Sequence, residues 1–421
     1  MLRKIQFQNV RCLRDVTVEL EPLTVFLGLN DAGKSSLVQA IKTFWRTLRS
    51  PLTVLPGQPA DARFDLSNVV WKGKHSQPIR WKAELEMPNH RTFAYILRAE
   101  WKARGLDRWE LFEHFQVDGD PLLDWAEDTR PAYYAGRTQA IKTTRAVAEE
   151  EDENYGYTFL SKVKKPQSQE RFRPEFYELA EEFDGYRAYH LDFQSLRQPS
   201  ILELEKIPVL SPTGKGLPSV LDWMLHEHRD CFLELEQSIC RMNPTLGGIA
   251  LPLRKMTNSR GEMVAGRGIE FHQTSHRDRK IPASLVSEGV MKMLGYMTLL
   301  HHPYRPNLLI LEEPDAHIHP LQFEALMQKL QALTQETDEH GLPACQVILT
   351  TQNPQVLNYV DNRQIRVLTR DEEGATQVSP FVTDQNLEKM LQLMSRVRQI
   401  MFRKVFQIPN SQYEPSEPSM L

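Results

Sequence analysis

Leu23-Thr-Val-Phe-Leu27-Gly28-Leu-Asn30-Asp31-Ala32-Gly33-Lys34-Ser35-Ser36 is the stretch on which the fold turns. Its first five residues carry no charge, the pattern of a strand buried on both faces. Glycines at 28 and 33 then free the backbone for a tight loop, and Leu37, Ile41, Phe44 and Trp45 follow at helical spacing. A buried strand, a glycine loop and a helix in that order make a phosphate cradle, because loop amides and the helix N-terminus point positive potential at one spot. Gly28, Asn30, Asp31, Ala32, Gly33, Lys34, Ser35 and Ser36 are therefore expected to wrap a nucleoside triphosphate, with Lys34 on the β- and γ-phosphates and the Ser35 hydroxyl on magnesium. A chance match in a surface loop is the alternative, and both flanking elements argue against it.

Working outward, Leu308-Leu-Ile-Leu311 is a second fully apolar run, and it delivers Glu312 and Glu313 at its C-terminal end. Open α/β sheets bind ligands at that end of their strands. Glu312 is expected to hold magnesium, directly or through water, and Glu313 to face the γ-phosphate and orient or deprotonate the attacking water. Val286-Ser287-Glu288-Gly289 precedes Val290, Met293, Leu294, Met297 and Leu300 at helical spacing, so Ser287 reads as a helix cap.

Around these motifs, Ile5 to Val10 and Val16 to Leu20 read as strands. Ile79 to Met87 alternates apolar with charged residues, and similar segments lie near Thr92 to Trp101 and Trp109 to Val117. They predict an antiparallel sheet beside the nucleotide core. An acidic run, Glu149 to Glu153, and a basic stretch with Lys162, Lys164, Lys165, Arg171 and Arg173 predict an inserted, charged helical lobe. Two readings of that lobe stand: a solvated surface, or a face for a partner or nucleic acid. Residues 1–125 and 186–380 are then the two parts of one head, 126–185 the lobe and 381–421 a helical tail. Tyr186 to Phe193 reads as a strand returning to the head, and Leu217 to Ile239 as helical.

In their order these motifs resemble the ABC-type ATPases, where a Ser-x-Gly signature at a helix N-terminus contacts the γ-phosphate held by the opposite subunit. The segment Glu312-Glu-Pro-Asp-Ala-His-Ile-His-Pro320 is similar to the Walker B and D-loop stretch of the SMC, RecF and OLD branch. Val347-Ile-Leu-Thr-Thr-Gln-Asn-Pro354 resembles that branch's final strand and switch loop. Arg63 to Gly73 and the run from Val10 through Glu19 add to the likeness, which covers most of 1–117 and about 186–370. It implies a P-loop NTPase of the α/β class, an ABC-type head with a mixed central sheet, a flanking antiparallel sheet and a helical lobe. It further implies ATP and Mg2+ as cofactors and a homodimer closed around ATP, in which Ser287 and Gly289 act in trans and Asp315 touches the other subunit.

Two departures are visible. Gln352 stands where the branch commonly has a switch histidine, so it can donate a hydrogen bond to phosphate but cannot become a cation. The first Walker B acid is Glu312 where aspartate is common. The Q-loop glutamine is not marked by spacing, and Gln194 is the candidate. No clustered acids of a Toprim nuclease follow the switch strand, and Asp371-Glu-Glu-Gly374 reads as a turn. DNA-linked work such as repair or anti-phage defence, through a separate effector that carries the chemistry, is what the resemblance implies.

The bulk figures exclude other classes. Lys+Arg of 51 against Asp+Glu of 55 leaves a net charge of −4, without the basic excess of a dedicated nucleic-acid binder, although a local patch for DNA or RNA stays open. Four scattered cysteines lack CxxC spacing and suit reduced thiols in the cytoplasm. Apolar runs are too short to span a bilayer, so no membrane partner is expected. His317 and His319 with Asp315, and His226 and His228 with Cys231, are residue types that ligate metals, but the spacing favours plain loop and packing roles. Ser275 to Lys280 is a basic run that either is solvated or meets phosphate. Three rival functions remain: an ATP-locked scaffold with little turnover, a metal-dependent nuclease, and a transporter's ATPase subunit.

Overall fold

The computed structural model describes residues 1–49, 69–74, 76–102, 108–124, 132–134, 140–142, 160, 163, 173–202, 207–258, 260–276 and 278–381. The acidic run at 149–153, most of the basic stretch after it, Arg63 to Asn68, Arg277 and nearly all of the 381–421 tail lie outside the described residues.

Among the described residues, the central sheet has the order β10-β17-β18-β3-β19-β20. Its strands are β3 (Leu23–Gly28), β10 (Tyr186–Tyr189), β17 (Leu308–Glu312), β18 (Gln346–Thr351), β19 (Ile365–Arg370) and β20 (Thr376–Pro380). All pair in parallel except β20, which returns from β19 through the Asp371–Gly374 turn. Parallel strands need cover on both faces, and the side chains divide accordingly. Phe26, Leu308, Ile310, Ile348 and Leu368 join one core cluster, whereas Val25, Leu27, Leu309, Leu311, Val347 and Leu349 join the other. That two-sided burial is why these strands are uninterrupted apolar runs in the sequence.

The first cluster is closed by the helix Lys34–Thr47 and an antiparallel sheet ordered β2-β1-β4-β5-β6-β7-β8-β9. Its members are β1 (Leu2–Val10), β2 (Leu13–Glu19), β4 (Ile79–Met87), β5 (Arg91–Lys102), β6 (Arg108–Val117), β7 (Asp120–Asp124), β8 (Ala132–Tyr134) and β9 (Ala140–Lys142). β4 alternates buried with half-buried residues along its whole length, matching its apolar and charged alternation. Within the segment expected to be a helical lobe, β8 and β9 instead extend this sheet. The helix Pro174–Asp184, also in that segment, packs Phe183 edge-on against Phe44 with ring centroids 5.7 Å apart. Phe176 lies 5.2 Å from Phe115. Burying those aromatics draws the helix into the core of the head, and charge composition carried no sign of it.

The second cluster is closed by helices Leu217–Glu227, Arg229–Met242, Glu288–His301 and Pro320–Gln335. The helical pattern over 217–239 breaks at His228, whose ring leaves the helix line to meet Trp223 with centroids 4.6 Å apart. β10 ends at Tyr189, short of the expected Phe193, because Asp192 caps a one-turn helix, Phe193–Leu196, by accepting from the Ser195 amide at 2.8 Å. Two small antiparallel sheets complete the described residues. One holds β11 (Ser200–Ile201), β13 (Leu253–Thr257) and β14 (Met263–Arg267), and the other β12 (Leu246–Ala250), β15 (Glu270–Gln273) and β16 (Lys280–Pro282).

Candidate nucleotide site

Register across the central sheet gathers the motifs at one edge. Glu312 pairs with Thr350, Thr351 with Leu27, and Gly28 with Leu368, so β3, β17 and β18 release their loops at the same level. Gly33 then takes φ of 102°, a conformation that suits glycine, and caps the Lys34–Thr47 helix without any side-chain hydrogen bond. No acidic residue occupies the first turn, which leaves its amides and the helix dipole facing the loop. Gly28 is constrained as well, since a Cβ there would sit 2.9 Å from the Leu368 carbonyl oxygen.

Lys34 is buried, and its Nζ donates to the Gly28 and Leu29 carbonyls, each at 2.9 Å. Burial lowers its pKa, while Glu313 and Asp315 oppose the shift. The Glu313 carboxylate stands 3.9 Å away. Glu313 itself holds φ of 46°, with its amide donating to both the carbonyl and the hydroxyl of Thr350 at 3.0 and 3.2 Å. A left-handed glutamate costs on the order of 1 kcal/mol, and β18 holds it there. Asp31 and His317 share this conformation, with φ of 69° and 67°. Asp315 is desolvated, which raises its pKa; a hydrogen bond from Thr351 opposes the shift and the nearby Glu313 charge adds to it. Asp315 Oδ1 and Gln352 Oε1 are buried without hydrogen-bond partners.

Ser35 is exposed at the loop, and Glu312 is buried with Lys42 Nζ at 3.1 Å. Hydroxyl and carboxylate oxygens are the ligands a hard dication prefers, so this pair fits magnesium. Three contacts were invisible in the sequence. Thr376 of β20 donates its hydroxyl to the Ala32 carbonyl at 3.1 Å, Arg370 reaches Asp31 at 3.0 Å, and Lys42 holds Glu312. Each joins residues far apart along the chain.

Ser287 caps the helix Glu288–His301 as expected, accepting from the Val290 amide at 3.5 Å. Gly289 presses on the 315–319 loop, where an added Cβ would meet the His317 carbonyl oxygen at 2.8 Å. Lys292 ties the two elements, donating to the Ala316 carbonyl and pairing with Glu288, both at 3.1 Å. His319 caps Pro320–Gln335 and His317 turns toward Glu288 at 3.9 Å, so the two imidazoles serve separate contacts. His226 similarly binds the Asp222 carbonyl at 2.7 Å while His228 packs at a tilt against Trp223. Among the described residues no group of three or more His, Cys, Asp or Glu is placed to hold a metal ion. Gln194 is exposed on the one-turn helix after β10.

Residues 23–358, most of the chain and the stretch from Gly28 through Gln352, match the family described as "AAA domain, putative AbiEii toxin, Type IV TA system". The chain belongs to this family. It is thereby an AAA-domain protein over most of its length. A curated relative, the OLD nuclease of Thermus scotoductus, is 43% identical over 54 residues, 12% of this chain and 10% of that protein. The chain thus matches about a tenth of that relative's length. Similar solved structures include an SMC head bound to the C-winged helix domain of ScpA, at 12% identity and a TM-score of 0.48. The SMC head domain from Thermotoga maritima has 12% identity and a TM-score of 0.42. Each alignment covers 91% of this chain and 99% of the other. No described helix is long and apolar enough to cross a membrane.

Proposed function

We propose that two copies of this chain close around two ATP molecules and that hydrolysis reopens them. Each site joins the phosphate loop of one copy to Ser287 and Gly289 of the other. The observation that carries this is a division within one chain: Lys34, Glu312, Glu313 and Gln352 converge at the sheet edge, while Ser287 and Gly289 stand at the N-terminus of the helix Glu288–His301, against the 315–319 loop. A half-site of that kind is completed by a second copy.

In the closed pair, the loop from Gly28 to Ser36 wraps the phosphates and Lys34 exchanges its carbonyl partners for β- and γ-phosphate oxygens. Glu313, held left-handed beside Lys34, orients the attacking water and takes its proton. Gln352 donates to the γ-phosphate through its amide, and Asp315 faces the opposite copy. Ser35 and Glu312 would hold magnesium, which would supply positive charge against the phosphates when bound. The output is mechanical or regulatory, exerted on a separate effector protein, a nuclease being one such, in DNA- or RNA-linked work such as repair or defence. Unpaired cysteines support a cytoplasmic setting.

The neutral Gln352 favours a second reading, a nucleotide-locked scaffold with slow turnover, which differs in rate and not in architecture. The test is the native mass of Glu313→Gln protein purified from its source cells with ATP and magnesium. A dimer that forms only with ATP, or an ATP-dependent complex with an effector, supports the sandwich. A monomer regardless of ATP overturns it.

A further inference from the structure

Beside the phosphate-loop helix, and outside the loop itself, lies a cleft of about 530 Å³. That is within the roughly 300–1,000 Å³ of small-ligand sites. Lys42, Arg46 and Arg49 line it at i, i+4 and i+7 of one helix, and Arg187 lines it from β10. No carboxylate is among its lining residues that the structure describes. Among the described residues Asp184 pairs with Arg49 at 2.8 Å and Glu312 with Lys42 at 3.1 Å from the margins of the cleft, and Arg46 has a partner of its own. Arg187 donates to the backbone carbonyls of Asp184 and Tyr186, which leaves its charge uncompensated by those bonds. Trp45, half-buried and edge-on to Tyr186 with centroids 5.7 Å apart, adds a flat apolar wall.

Clustered guanidinium groups next to an indole suit phosphate joined to a planar ring. Lys42 belongs both to this wall and to the carboxylate assigned to magnesium. We propose that the cleft binds a nucleotide unit, either a free mononucleotide or one position of a single-stranded nucleic acid, and that binding draws Lys42 off Glu312 and frees that carboxylate for magnesium. Lys42 is then a positioning residue: it neutralises Glu312 while the cleft is empty and yields it when a phosphate competes for the ammonium. Because coupling is reciprocal, magnesium with ATP tightens the cleft's hold on its ligand by the same factor. This second step rests on the assignment of Glu312 proposed above; occupancy of the cleft does not.

Binding of a short, labelled single-stranded oligonucleotide without terminal phosphates is followed by fluorescence anisotropy in the absence of ATP. Arg46→Glu with Arg49→Glu is expected to weaken it at least about ten-fold, and the milder Arg46→Gln with Arg49→Gln to weaken it less while guarding against misfolding. Competition by adenosine monophosphate assigns the site to free nucleotides, and its failure to compete assigns it to a strand. If neither ligand binds the wild type, or the charge-reversed protein binds equally well, the cleft proposal is overturned. Coupling is read as the magnesium concentration that half-saturates binding of a fluorescent ATP analogue. The oligonucleotide is expected to lower it several-fold in the wild type, and Lys42→Gln to start low and ignore the oligonucleotide. An unchanged magnesium dependence in Lys42→Gln overturns the coupling. A wild type that binds no ATP analogue at all overturns the ATPase reading instead, and the anisotropy result still decides the cleft.

Discussion

Replacing Gly33 by alanine tests how tightly the phosphate loop is held by the far end of the chain. Gly33 has φ of 102°, and an added Cβ would lie 2.0 Å from the Thr376 hydroxyl oxygen and 3.1 Å from the Cys12 sulfur. Thr376 cannot simply retreat: its amide donates to the Cys12 carbonyl at 2.8 Å and its hydroxyl to Ala32 at 3.1 Å, and it is 1% exposed. Left-handed backbone costs alanine about 1–2 kcal/mol. Turning the buried hydroxyl away from its partners costs about 1–3 kcal/mol more. Gly33→Ala should therefore destabilise the protein by roughly 2–5 kcal/mol in urea unfolding, with a parallel loss of ATP-analogue affinity. Adding Thr376→Ala removes the oxygen and should return about 1–2 kcal/mol, whereas Thr376→Ser keeps the oxygen and should return little. If Gly33→Ala lies within about 0.5 kcal/mol of the wild type, or serine rescues as well as alanine, the clasp between β20 and the loop is not what holds Gly33.

Gly289→Ala should leave ATP-analogue binding by each subunit within about two-fold but abolish ATP-dependent dimerisation, since its Cβ strikes the His317 carbonyl at 2.8 Å; native mass with ATP checks this. Glu313→Gln should keep nucleotide affinity while lowering steady-state phosphate release by about 10²–10⁴-fold, and a rate near wild type would remove Glu313 from the chemistry. His301, 11% exposed, has its pKa pushed from 6.5 to about 4 by burial first and then by Lys329 and Arg305, against the pull of Glu234. Between those two values the unfolded chain binds the extra proton, so stability is present at neutral pH and is lost as pH falls from 6.5 toward 4. After discounting for solvent screening, His301→Gln should flatten the stability loss between neutral pH and the bottom of that window by about 1–2 kcal/mol, read from urea midpoints.

Much of this site is local in sequence, and that part was legible. The loop from Gly28 to Ser36, the paired glutamates after β17 and the Ser287 cap are each short and defined by backbone demands: glycine where φ is positive, apolar residues where a strand is covered twice, a hydroxyl where helix amides lack acceptors. The antiparallel sheet was legible for the same reason, through its period of two. The segment after Pro121 was harder, because charge runs report solvation and say nothing of the few aromatics, Phe176 and Phe183, that anchor the helix Pro174–Asp184.

Sequence alone therefore marked the parts expected to meet phosphate: a glycine loop with its lysine, and carboxylates delivered at a strand end. The tertiary structure decided which charges meet. Lys42 lies 270 residues from Glu312, and Thr376 lies 344 from Ala32. Such pairings leave no local signal, because they arise when strand register lays β17, β18, β3, β19 and β20 side by side in that order and fixes what each loop touches.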